Sequence, residues 1–153
     1  MKIVDYLDES LVISDLDCDD KDEVLRQFAR LVNRRFPELD EDEVYEVLQE
    51  REELGSTGIG EGIAIPHGKL KNLETIIAAF ARSRRGIDFD AIDGQPVYFF
   101  FLLLAPENSA GLHLKALAKI SRMLKSKEFR EELANAEDEK ALFQVISTED
   151  DRF

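Results

Sequence analysis

Apolar positions recur at helical spacing through two N-terminal stretches of the chain. In residues 19–36, Val24, Leu25, Phe28, Leu31 and Val32 fall three and four apart, which is the pattern of one buried helix face. Asp19 or Asp20 supplies an N-cap, acidic residues fill the first turn, and Pro37 stops the helix. A second helix is expected from about Asp40 to Glu53, with Val44, Val47 and Leu48 facing inward and an acidic start that suits the helix dipole. The pattern then changes. Gly55, Gly58, Gly60, Gly62 and Gly68 crowd residues 54–68, a density that excludes a helix. This stretch reads as a loop, a short apolar strand at Ile63–Ile65, and a turn at Pro66-His67-Gly68.

Thr75 to Ser83 is strand-like, with Ile76, Ile77 and Phe80, and Arg84-Arg85-Gly86 marks its end. Asp93-Gly94 is a turn signal. Val97 to Leu104 is apolar at consecutive positions, the mark of a central strand covered by helices on each side; Pro106 ends it. A helix follows from about Leu112 to Lys125, striped by Leu117, Ile120 and Leu124, then two short helices near 127–135 and 138–146. The acidic tail, 148–153, is expected to fray. Helices before, between and after a few strands predict an α/β sandwich. There is no repeat or linker, and 153 residues suit one domain, 1–153.

Composition removes several functions. The net charge of −13 argues against a nucleic-acid groove, which needs clustered Lys and Arg. The single cysteine, Cys18, excludes an internal disulfide and a cysteine metal cluster. With no histidine near it in sequence to activate it, Cys18 is read as a small, semi-buried residue. Met1-Lys2-Ile3-Val4-Asp5 lacks the apolar run of a signal peptide, and the longest apolar run, Val97 to Ala105, is too short to cross a bilayer. These features predict a soluble, cytoplasmic protein.

The candidate chemistry lies with the only two histidines, His67 and His113, because imidazole is the side chain that exchanges protons near pH 7. Pro66 rigidifies the approach to His67 and Gly68 removes bulk beyond it, which suits an exposed nucleophile meeting another protein; an ordinary turn histidine is the alternative. The glycine-rich approach, Gly55 to Gly62, is neither a Walker loop nor a dinucleotide loop, since no Gly-Lys-Ser/Thr follows and Pro66 stands where a helix would begin. Its backbone N–H groups could hold phosphate oxygens near His67, or it is a plain flexible loop. His113 shares a helix face with Ala116, Leu117 and Ile120, so alone it reads as a half-buried structural histidine unless the two histidines converge. No metal site is expected, because the histidines lie far apart without a cysteine pair, and no Gly-x-Ser-x-Gly elbow exists.

The run Arg51-Glu52-Glu53-Leu54-Gly55-Ser56-Thr57-Gly58-Ile59-Gly60-Glu61-Gly62-Ile63-Ala64-Ile65-Pro66-His67-Gly68-Lys69-Leu70 closely resembles the active-site segment of type-2 EIIA domains. These are the fructose/mannitol and nitrogen-regulatory EIIA proteins of the bacterial phosphoenolpyruvate-dependent phosphotransferase system. Ile87 to Val97, Leu104-Ala105-Pro106 and His113-Leu114 extend the resemblance over nearly the whole chain. It implies a three-layer α/β sandwich in which a small mixed sheet is flanked by helices on both faces. It also implies that His67 is the phosphorylated histidine, that Arg51 lies near the phosphoryl group, and that His113 is the second active-site histidine. Ser56, Thr57, Gly58, Gly60 and Gly62 become a candidate phosphate loop, with Pro66 and Gly68 flanking the nucleophile.

The implied reaction takes phosphate from phospho-HPr, or a nitrogen-type HPr, onto His67, with no cofactor and no metal. The acceptor is then an EIIB in sugar uptake or a regulated target protein. A lone EIIA whose glycine-rich segment looks most like the nitrogen-regulatory branch points to regulation. A stand-alone fructose/mannitol-type EIIA, a purely regulatory binding module and a metal-dependent hydrolase are the other readings.

Overall fold

The apolar run predicted as a central strand is the middle of the sheet. A computed structural model describes residues 1–153. In it Val97–Pro106 forms β6, in which every residue except Tyr98 is buried. Its antiparallel neighbour, Ile77–Ile87 (β5), pairs with it from Ile77↔Leu104 to Ile87↔Val97. Val12–Ile13 (β1) lies parallel to β5 on the outer side. On the other side of β6 run two short parallel strands, Ile63–Ala64 (β3) and His67–Leu70 (β4). Gly58–Gly60 (β2) closes that edge, antiparallel to β3. The sheet is therefore mixed, in the order β1-β5-β6-β3-β2, with β4 continuing the line of β3 along β6.

Strand alternation assigns the helices to two faces. Helices Lys21–Arg35 (α1) and Glu41–Glu53 (α2) pack on each other, and α2 packs on β4. On their side, Phe100 meets Phe89 edge to face, and Lys21 of α1 lies 5.3 Å from the Phe89 ring. Phe101 and Phe80, one residue out of phase, point to the opposite side and pack edge to face. There Ala110–Lys125 (α3), Lys127–Asn135 (α4) and Glu139–Asp150 (α5) cover β6, β5 and β1 respectively. This is the expected helix–sheet–helix sandwich, with one core of 44 buried apolar residues through both interfaces.

Local chemistry explains the helix starts. Asp20, Asp40, Ser126 and Asp138 each accept from a backbone N–H three residues on, at Glu23, Glu43, Phe129 and Ala141. The predicted stripe of α1 is buried throughout, and the helix ends at Arg35, before Pro37.

Four expectations need correction. Pro66-His67-Gly68 is not a turn: His67 opens β4, paired with Leu103. Arg84-Arg85-Gly86 does not end its strand, because a register shift between Arg82 and Ile87, with Gly86 at φ +83°, absorbs the irregularity and pairing resumes at Ile87. The C-terminal end does not fray from residue 148. Helix α5 continues to Asp150, whose fully buried carboxylate pairs with Lys119 at 2.5 Å and accepts the Val4 N–H at 3.1 Å. Cys18 is fully rather than partly buried, and burial with the surrounding carboxylates pushes its thiol up to about 11, leaving it inert.

Candidate active site

The site begins with a break in a strand. Proline has no N–H to give a ladder, and at Ile65-Pro66 the chain leaves β3 and re-enters beside β6 as β4. Both ends of the break are held: the Ile65 N–H donates to Thr57 O at 3.0 Å, and Pro66 O accepts from Leu103 at 3.0 Å. Alternation along β4 then sends His67 to the α3 face and Gly68 to the α2 face. A Cβ on Gly68 would come closer than 3.0 Å to Val47 Cγ1 of α2. The absence of bulk at Gly68 therefore serves helix packing. His67 itself is half-buried, not exposed.

The His67 tautomer follows from its partners. Nδ1 lies 2.8 Å from the Ile65 carbonyl oxygen. A carbonyl only accepts, so Nδ1 carries the hydrogen and Nε2 keeps its lone pair. Arg51, in the last turn of α2, donates its Nε–H to His67 Nε2 at 3.2 Å and holds Gly55 O through Nη1 at 2.9 Å. The guanidinium thus sits over the ring nitrogen that carries the lone pair.

The two histidines converge. His113, in the first turn of α3, has its ring centroid 5.5 Å from that of His67 with the planes at 76°. It is buried, and its Nε2 has no hydrogen-bond partner. A buried ring nitrogen beside His67 is thus left with an unmet hydrogen-bonding capacity. Burial lowers the His67 pKa, and the Arg51 charge adds to this, against an upward pull from the Ile65 hydrogen bond. Burial, then His67 and Lys69, pushes His113 down to about 4. Both rings are neutral at pH 7, and a neutral ring is what nucleophilic attack requires.

The loop before the site serves mainly to hold itself in place. The Thr57 N–H and hydroxyl both donate to the buried Glu52 carboxylate, which Lys21 also meets at 3.3 Å. Ser56 Oγ donates to Phe89 O at 3.1 Å and accepts the Gly58 N–H at 3.0 Å, and the Glu61 N–H is taken by Asp93 at 3.1 Å. So Ser56, Thr57 and Gly58 buttress the site, and the expected phosphate-holding role of their donors gives way to internal bonds. Gly60 and Gly62, at φ +97° and +79°, carry the tight reversal between β2 and β3, with Tyr98 Cδ2 3.1 Å from where a Gly62 Cβ would stand. Glu52 was not singled out from the sequence. Its signal is faint: one carboxylate in an acidic helix, next to Arg51.

Comparison with known proteins follows the same lines. The family model for "Phosphoenolpyruvate-dependent sugar phosphotransferase system, EIIA 2" matches residues 5–149. A nitrogen regulatory protein of Bradyrhizobium diazoefficiens is 42% identical over 147 residues, covering 96% of this chain and 95% of that protein. The fructose-specific EIIABC component of Bacillus subtilis is 34% identical over 150 residues, covering 98% of this chain but 24% of that protein. Among solved structures, the nitrogen regulatory protein IIA-Ntr from Neisseria meningitidis superposes with a TM-score of 0.88 at 35% identity, covering 94% of this chain and 98% of that one. A match spanning the sheet, both helical layers and the two converging histidines leaves one assignment: the chain belongs to the type-2 EIIA family of the phosphoenolpyruvate-dependent sugar phosphotransferase system.

Proposed function

We propose that this protein is a phosphocarrier that accepts a phosphoryl group on His67 Nε2 from phospho-HPr, or a nitrogen-type HPr, and uses its phosphorylation state for regulation. The observation that carries the reading is the tautomer: Nδ1–H is committed to Ile65 O and the Nε2 lone pair faces Arg51.

The Nε2 lone pair attacks the phosphorus carried by the donor's histidine. The new N–P bond forms as the donor's N–P bond breaks, and that electron pair returns to the donor imidazole. No proton leaves His67, because the Ile65 carbonyl holds Nδ1–H and offsets the positive charge spreading over the ring. As the bond forms, Arg51 exchanges its contact with Nε2 for the phosphoryl oxygens, which its forked donors suit. His113 donates from its unpartnered Nε2, in the tautomer that protonates it, to a phosphoryl oxygen. The catalysis is positioning and charge stabilisation, and with phosphohistidine on both sides the step is reversible.

Leu54, Ile92 and Leu114 are 85%, 78% and 67% exposed and stand next to site elements: Leu54 caps the helix of Arg51, the Ile92 N–H bonds Gly58 O, and Leu114 follows His113. Such side chains suit docking of a partner protein. The acceptor is a regulated target protein; an EIIB acceptor is the sugar-transport alternative. Regulation is favoured by the greater identity to the nitrogen regulatory relative over nearly its full length. No helix is long and apolar enough to cross a membrane, and the proposed setting is the cytoplasm.

The test is phosphotransfer from phosphoenolpyruvate through Enzyme I and each HPr type to wild type and His67→Ala, with the attachment nitrogen read by NMR. Acid-labile phosphate on wild type alone, at Nε2, is the expected result. Labelled His67→Ala, attachment at Nδ1, or no label on either protein would refute the proposal.

A further inference from the structure

On a chain of net charge −13, four cations converge on one cavity remote in sequence from the histidines. Its volume is about 430 Å³, and it lies between β5, β6 and α4. Arg82, Arg84, Lys127 and Arg130 line it against a single carboxylate, Glu131, with Tyr98 and Phe99 of β6 completing the wall.

Arg82 is the unusual member. It is 2% exposed, and no carboxylate lies within 4.0 Å of its guanidinium. Its Nε donates to Ser14 O at 2.9 Å, and its Nη1 to Leu133 O at 2.7 Å and Ala136 O at 2.5 Å. These neutral acceptors orient the group, and the two at the end of α4, Leu133 O and Ala136 O, suit a cation at a helix C-terminus, but none of them neutralises it. Nη2 is buried and has no partner at all. A helix-capping role accounts for Nη1 and leaves Nη2 unexplained. Arg84 reaches the same helix end, its Nη2 donating to Ala136 O at 3.4 Å, yet neither it nor Lys127 has a carboxylate partner, and both crowd the same cavity. Arg130 alone of the four has one, Glu61 at 3.5 Å. A buried charge without a counter-ion is costly, and like charges beside it raise that cost. An anion entering the cavity removes both penalties.

We propose that this cavity binds a phosphate dianion, free or as the head of a small phosphomonoester, through Arg82, Arg84, Lys127 and Arg130. The site is separate from the His67 centre and does not depend on the phosphocarrier reading. Arginine forks match phosphate oxygens, and the volume exceeds what a bare phosphate fills, leaving room for a small organic body against Tyr98.

The experiment titrates the full chain with inorganic phosphate and with AMP, each against sodium chloride at matched ionic strength, by calorimetry and amide NMR. Saturable binding is expected, with shifts at Arg82–Arg84 and Lys127–Arg130. Tighter binding of AMP assigns the phosphomonoester, and binding of phosphate alone assigns the free ion. Arg84→Ala/Lys127→Ala, at two exposed positions, should weaken binding by about tenfold or more while the melting temperature without anion holds. Arg51→Ala should leave the affinity unchanged. An equal response to chloride, shifts confined to His67 and Arg51, or unchanged affinity in the double variant would overturn the proposal.

Discussion

Replacing Gly68 with alanine tests whether α2 is seated closely enough on β4 to hold Arg51 over His67 Nε2. The new Cβ would stand closer than 3.0 Å to Val47 Cγ1, a distance real Cβ atoms essentially never show, and 3.7 Å from Val47 O. Valine in a helix has one strongly preferred rotamer, so the side chain does not simply turn away and the helix must shift. Overpacking of this kind costs about 1–3 kcal/mol. Gly68 has no positive φ, so alanine recovers about 0.4–1 kcal/mol of unfolded-chain entropy. The net expectation is a destabilisation of about 1–2 kcal/mol, which leaves a domain of ordinary stability folded. Val47 and Arg51 are four residues apart on one helix face, so the shift carries Arg51 with it. A misplacement approaching 1 Å near reacting groups costs on the order of 10²-fold in rate, and a part of that, about tenfold or more, is expected in phosphorylation of His67. Urea denaturation and the rate of phosphate uptake from phospho-HPr read the two effects. Val47→Ala/Gly68→Ala removes the colliding methyl and should restore rate relative to Gly68→Ala. A Gly68→Ala protein with unchanged stability and rate, or a double variant with no rescue, would refute this account of the helix–strand seat.

Other consequences can be checked with the same assays. Arg51→Ala should slow phosphorylation by about 10- to 100-fold through loss of charge-assisted bonds to the phosphoryl group while the urea midpoint is held; an unchanged rate would contradict the charge argument. Folded His113 titrates near 4, against 6.5 for the free side chain. Between those values the unfolded chain binds protons that the folded ring refuses, so stability is lost as pH falls, by about 2 kcal/mol from pH 7.5 to 5, and His67 acts in the same direction. His113→Gln should flatten that part of the stability–pH curve, and a parallel curve in the variant would count against a buried neutral His113. Asp150→Ala, by stranding buried Lys119, should cost about 3–5 kcal/mol in urea denaturation; a loss under about 0.5 kcal/mol, the scale of ordinary surface substitutions, would mean the C-terminal turn contributes nothing.

The helices and the central strand were legible because each carries a local signal that packing reinforces. The α1 stripe, the acidic caps of α1 and α2 and the two-sided apolar run of β6 all agree with the burial they receive. The errors fall where a partner distant in sequence decides. His67 reads as part of a turn because Pro66 and Gly68 surround it; it is a strand residue because β6 supplies Leu103 beside it. Residues 148–150 read as a charged tail; Lys119 and the Val4 N–H, far away in sequence, bury Asp150. Two-residue strands such as β1 have too few positions to show a period at all.

For the site, the sequence by itself determined which side chains could do the chemistry. Two histidines and no second cysteine narrow the candidate nucleophile to His67 and His113, and the resemblance of the Arg51-to-Leu70 run to a known active-site segment is what sets Arg51 and His113 beside His67 as candidate attendants. Tertiary structure decided what those residues are. It brought His113 to 5.5 Å from His67, fixed the tautomer through Ile65 O, laid Arg51 on Nε2 and committed the loop's donors to Glu52 and Ser56. It also gathered four cations around one buried, unneutralised guanidinium on an acidic chain. Sequence specifies the inventory of groups and the periodicities that bury them. Distances, tautomers and unmet hydrogen bonds arise only when segments far apart in the chain are packed against one another.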